Sequence, residues 1–161
     1  MRWENAGSGS NNEIYHLWHN DKKLLTLTLH PFSNTARLES AEEKRVFLIR
    51  REGFFRNKTV LRNEYGIRIG ELGTEEQNNF IELNDERFYY YIHNNPAELV
   101  LYKETKDKPF IACGFNVKDG NASVRFEKDK TPIAQSSLLM ALCWYMFLPV
   151  AKNNAVPELA V

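Results

Sequence analysis

The chain has 161 residues, 43% hydrophobic, 26% charged and 12% aromatic, with 21 basic and 21 acidic side chains. That length suits one domain with a core of its own, needing neither disulfide nor metal staples. A net charge of zero argues against a generic nucleic-acid binder, and the composition is that of a globular protein.

Residues 6–12 read AGSGSNN, small and polar, and residues 1–12 are expected to form a flexible segment. The first five residues hold no apolar stretch of the kind a secretory signal needs. Asn57-Lys58-Thr59 and Asn121-Ala122-Ser123 therefore read as chance matches to the glycosylation sequon. Cys113 and Cys143 both lie in apolar runs and read as buried free thiols of a reducing compartment.

From residue 13 to about 128 short strand-like runs alternate with turn signals. In residues 24–29, LLTLTL, Leu25, Leu27 and Leu29 share one face and Thr26 and Thr28 the other. Residues 46–49 are continuously apolar. Phe88, Tyr90 and Ile92 oppose Tyr89 and Tyr91, and Ala122, Val124 and Phe126 oppose Ser123, Arg125 and Glu127. The breaks carry turn chemistry, as at Asn63-Glu64-Tyr65-Gly66, Asn84-Asp85-Glu86 and His93-Asn94-Asn95-Pro96. Many short strands at near-regular spacing imply a sandwich or a barrel.

The period then changes. Thr131 suits a helix cap and Pro132 the first helical position. Residues 133–148 follow without a charge, and Pro149 is expected to end or kink the helix. Residues 138–148, LLMALCWYMFL, are consecutively apolar and cover the whole circumference at ~3.6 residues per turn. Such a helix must be buried on all sides, in protein or in lipid. A membrane span wants ~20 apolar residues, whereas a run of ~10–14 is more often a core helix. A flat sheet would cover one side only; strands curled around the helix would cover every side. The expected fold is thus mainly β (α+β), a β-barrel of short antiparallel strands around a central C-terminal helix. The domain spans residues 13–151, with the helix at about 132–148 and a tail over 152–161.

Short strands followed by one hydrophobic C-terminal helix resemble the tubby C-terminal-like superfamily, which includes tubby, the phospholipid scramblases and the plant LURP-one-related proteins. Residues 60–70, VLRNEYGIRIG, resemble its strand–acidic turn–glycine–strand hairpins, residues 88–102 repeat that shape, and residues 136–150 correspond to its helix. The resemblance covers about residues 13–151 and implies a barrel threaded by the helix. It also implies recognition of phosphoinositide-type headgroups by basic side chains on adjacent strands.

Charge is unevenly spread. Lys44, Arg45, Arg50, Arg51, Arg56, Lys58, Arg62 and Arg68 face only Glu52 and Glu64 over residues 44–68, and an acidic stretch from Glu71 to Glu86 follows. Arg50, Arg51, Arg56 and Lys58 flank Gly53-Phe54-Phe55, a set that would place cations beside an apolar wedge at an anionic membrane surface. The plainer reading is a solvated strand edge, or pairing across the sheet with the acidic block. Tyr89, Tyr91, His93 and Tyr102 form a second candidate set, an aromatic-lined pocket at the barrel rim, against the plainer reading of strand packing.

Other chemistries are weaker. His16 and His19, three apart, point to opposite faces of a strand, so no metal site is expected. His30 and His93 read as polar residues at strand ends, and Glu82, Asp85 and Glu86 as an acidic turn. Gly-x-Ser-x-Gly and a phosphate loop are absent, and no cofactor is implied. The expectation is a non-enzymatic binding or scaffold barrel whose outer face meets an anionic membrane surface or a protein partner. The alternative is a small enzyme or ligand carrier with the aromatic pocket. No nucleic acid and no transmembrane span are expected, and the location is cytoplasmic, peripheral at a membrane if lipid is the ligand.

Overall fold

Alternation of apolar and polar residues becomes sheet almost throughout. The computed structural model describes residues 1–33, 35–40, 46–52, 58–103, 109–116, 121–126 and 133–155. Within them twelve strands precede one helix. The strands are β1 (Arg2–Ser8), β2 (Glu13–His19), β3 (Lys22–His30), β4 (Thr35–Ser40), β5 (Val46–Glu52) and β6 (Lys58–Asn63). They continue as β7 (Arg68–Glu75), β8 (Asn78–Leu83), β9 (Glu86–Asn94), β10 (Ala97–Tyr102), β11 (Pro109–Asn116) and β12 (Asn121–Phe126), and the helix is α1 (Ile133–Ala155).

Every strand pairs antiparallel with the next, and β1 also meets β12 through Arg2↔Ser123 and Trp3↔Ala122. The sheet is a meander whose first and last strands touch. Three of its hairpins turn through two residues of positive φ: Asn20-Asp21, Glu76-Gln77 and Asn84-Asp85. That is the backbone twist a two-residue hairpin needs.

One face of the sheet is the core. Leu25, Leu27 and Leu29 of β3 are buried while Thr26 and Thr28 are not, as their alternation requires. Phe47 and Ile49 of β5, Leu61 of β6, Ile81 of β8, Phe88 of β9 and Leu99 and Leu101 of β10 extend the same buried layer. Against it lies α1, in which residues 138–144 are all buried, with Phe147, Leu148 and Ala151 further along. The helix packs on β3, β10 and β11, and its rings and charges reach other strands as well. Trp144 stacks on Trp3 of β1 with centroids 5.6 Å apart, and Tyr15 of β2 meets Trp144 edge-on at 5.7 Å.

The sequence expectation differs from this fold in two places. Residues 1–12 are not simply a flexible segment, because Arg2–Ser8 is β1. Trp3, at 1% exposure, is the only buried residue of that strand. Its stacking on Trp144 and its pairing with β2 and β12 hold a run whose composition otherwise reads as linker. Gly7 sits beyond a bulge, its N–H donating to Asn5 Oδ1 at 2.9 Å.

Pro149 does not end the helix, which runs on to Ala155, so residues 152–155 belong to α1 rather than to a tail. A mid-helix proline removes one N–H and crowds the carbonyl four residues back, at about 3 kcal/mol. Buried Leu148 and Ala151, on either side, hold the turn by packing. The expected cap at Thr131 and Pro132 lies outside the described residues.

The two thiols are free and fully buried. Burial pushes Cys113 up to about 12, and it pushes Cys143 up strongly, with the nearby Cys113 adding to the effect. The strand of one and the helix of the other therefore bring them into electrostatic range.

Leu142 is 1% exposed, so Leu142→Asp should give no folded protein, because an unpaired buried charge has nowhere to go. Leu142→Ala should stay folded but lose about 2–5 kcal/mol, read from urea unfolding. A folded, soluble Leu142→Asp variant would refute the helix placement. The thiols give a second expectation. Because their folded pKa values lie above the ordinary 9.0, the unfolded chain releases protons first as the pH rises. Stability should be full below about pH 9 and fall between pH 9 and 12, and the fall should be shallower in a Cys113→Ala/Cys143→Ala variant.

Candidate functional site

The alternation of a strand decides which of its charges can reach the interior. On β5, Phe47 and Ile49 are buried, and Arg51 continues their parity while Arg50 and Glu52 take the other face. Arg51 emerges at the end of the sheet where α1 also ends. There a cleft of about 640 Å³ opens between the helix and the strand ends.

The apolar part of its lining, here called its floor, is Leu29 of β3, Leu72 of β7, Ile92 of β9, and Met146 and Leu148 of α1. Much of the remaining lining is polar. Tyr90 of β9 and Tyr145 of α1 bring phenols, both with pKa raised by burial, so they remain donors near neutral pH. Arg51 lies close enough to Tyr145 to offset part of that rise. Thr35, Thr59 and Thr74 add hydroxyls, and His30 closes the end of β3.

Two charges in the cleft neutralise each other. Lys152 donates to Glu13 at 2.7 Å, and Tyr15 donates to the same carboxylate at 2.9 Å. Burial would raise the Glu13 carboxyl, but these hydrogen bonds outweigh it and hold its pKa below the ordinary range. The Tyr15 phenol is raised in turn, by burial first and then by Glu13. Arg51 has no carboxylate partner among the described residues. Pro149 supplies no N–H to the Tyr145 carbonyl, and both residues line the cleft.

The basic set expected from the sequence is divided by this geometry. Arg51 lines the cleft; Arg50 and Lys58 lie on the outer face, Lys58 opposite Glu52 in the register. Arg56, with Gly53-Phe54-Phe55, Lys44 and Arg45, lies outside the described residues. Much of the outer basic charge is compensated. Arg62 donates two hydrogen bonds to Glu52, at 2.7 and 2.8 Å, and one to the Gly66 carbonyl, and Arg68 pairs with Glu71. Glu52 is lowered first by the Arg62 hydrogen bond, with Arg50 and Arg68 contributing.

The aromatic set is brought together, but on the outer face. Tyr89, Tyr91 and His93 alternate along β9, and Tyr102 of β10 stands opposite Tyr89. Tyr91 and Tyr102 meet edge-on at 5.9 Å, and Tyr91 donates to Asn78 Oδ1 at 2.7 Å. The neighbouring Phe80 ring covers Gly73, where a Cβ would stand 2.8 Å away, and Arg87 lies 4.3 Å over that ring while bonding Glu82. These rings pack on one another. The cleft takes the alternate residues of the same strand, Tyr90 and Ile92.

Sequence reasoning passed over Glu13, Tyr90, Tyr145 and Lys152. One signal was present: a cation continuing the core parity of a strand, as Arg51 continues Phe47 and Ile49. No local pattern joins Glu13 to Lys152, 139 residues apart. His16 packs edge-on against Trp18, and its pKa is lowered by burial and by Lys23. Among the described residues no three His, Cys, Asp or Glu side chains gather as metal ligands, and no helix is long and apolar enough to cross a membrane.

The chain matches no family model, no curated protein and no solved structure.

The Lys152 side chain is 50% exposed, so solvent screens its pair with Glu13. Lys152→Met should shift stability by less than about 1 kcal/mol in urea titration. A larger loss would make this pair a structural clamp rather than part of a cleft wall.

Proposed function

We propose that the protein is a non-enzymatic binding barrel of tubby-like architecture, its sheet curled about α1, which takes a small anionic ligand in the cleft at the helix C-terminal end. One observation carries the reading. Arg51, itself exposed, keeps core-face parity to the end of β5 and lines a cleft with Tyr90 and Tyr145, with no carboxylate partner among the described residues.

A cleft of about 640 Å³ falls in the size range of ligand pockets, with apolar walls and a few convergent polar groups. A guanidinium presents a planar fork of donors suited to an oxyanion, and the two phenols add donors nearby. The meeting of β1 with β12 supports the curled sheet, as does a helix buried from Leu138 through Trp144. The anion specificity suggested by the basic block is retained in this reading, but it moves from the outer face to the rim. The carrier reading, which placed an aromatic pocket at the rim, is retained with Tyr90 and Tyr145 in place of the outer tyrosines.

Calorimetric titration with acetate, benzoate and inorganic phosphate tests the reading. Benzoate should bind the native protein, and Arg51→Gln should weaken it at least about tenfold, the loss of a charged hydrogen bond. Arg50→Gln and Lys58→Gln should leave it within about twofold. Co-sedimentation with phosphatidylserine vesicles at low and high salt is the second arm. Vesicle binding that survives Arg51→Gln but is lost with Arg50→Gln would overturn the rim site in favour of the outer face, and the absence of any anion binding would overturn both.

A further inference from the structure

Resting on the cleft as an anion site, we infer that its ligand is an amphipathic monocarboxylate: one carboxylate held at Arg51, with an unbranched alkyl chain along the floor. Charge sets the first half of this assignment. Arg51, Lys152 and Glu13 all line the cleft, and Lys152 is already spent on Glu13 at 2.7 Å. Among the described lining residues one positive charge, Arg51, is left, which matches a monoanion. A dianionic phosphate would bring a second negative charge with no cation to meet it, since Lys152 is already paired with Glu13. The planar fork of Arg51 fits the two oxygens of a carboxylate.

Apolar surface sets the second half. Leu29, Leu72 and Ile92 come from three separate strands, each on the core-face parity, and Met146 and Leu148 complete the floor from the helix. Ile92 and Met146 are only partly buried, so they carry apolar surface that a ligand can cover. Met146 is also an adaptable wall, able to follow chains of different length. A small hydrophilic anion would satisfy Arg51 and leave this floor wet; an alkyl chain satisfies both.

The test is a series of straight-chain carboxylates from acetate to decanoate, titrated calorimetrically, with alkyl phosphates of equal length as the comparison. Affinity should rise about three- to fourfold per added methylene until the floor is filled, and then level off. Carboxylates should bind more tightly than the phosphates. Ile92→Phe and Met146→Phe, which fill the floor, should make the series level off at a shorter chain. Arg51→Gln should weaken every member by a similar factor. A flat series whose binding still depends on Arg51 would overturn the alkyl-chain inference and leave the anion site standing. Tighter phosphate binding would overturn the carboxylate assignment. No dependence on Arg51 at any length would overturn both.

Discussion

A helix that is apolar on every side cannot rest on one surface. The run of residues 138–148 has no face to offer to water, so its burial requires contact from several directions at once. A meander of short antiparallel strands is the partner that a single chain can supply with local connections alone. The observed contacts follow from this. Trp144 meets Trp3 and Tyr15, Cys143 lies within electrostatic range of Cys113 and Tyr90, Tyr145 lies near Arg51, and Lys152 reaches Glu13. Elements far apart in the chain are held together by one shared neighbour.

That dependence has local costs. The indole N–H groups of Trp3 and Trp144 are buried without a protein acceptor, at about 1–3 kcal/mol each. The stacking and apolar burial of the two rings offset this, since an aromatic pair contributes about 0.5–1.5 kcal/mol beyond its area. Pro149 is a comparable case: a lost helical hydrogen bond, tolerated because Leu148 and Ala151 are buried beside it. Both costs lie at the helix or on the strand residue stacked against it.

The same geometry separates the two faces of the sheet chemically. On the outer face, charges on neighbouring strands find opposite partners, as Arg62 finds Glu52 and Arg87 finds Glu82. Among the described residues, the charged strand residues that line the cleft stand at strand ends, where the core opens to solvent. Arg51 and Glu13 occupy such ends and Lys152 the last turns of α1, and all three line the cleft.

Much of the fold was legible in the sequence, because its signals are local. Alternation in β3 and β9, the turn residues, and the uniform apolar run of the helix each follow from neighbours within a few positions, and they gave the β-rich class and the single C-terminal helix. β1 was not legible, since one tryptophan among small polar residues carries no period. The candidate site was legible only in part: the basic block was visible, but its division was not. Whether Arg50 or Arg51 faces the core depends on the register of β5 against β4 and β6, and a one-residue shift exchanges the two. The pairing of Glu13 with Lys152 and the approach of Tyr145 to Arg51 were decided by tertiary structure alone. They depend on where a helix near the end of the chain passes the strands formed at its start, and no spacing along the chain encodes that distance.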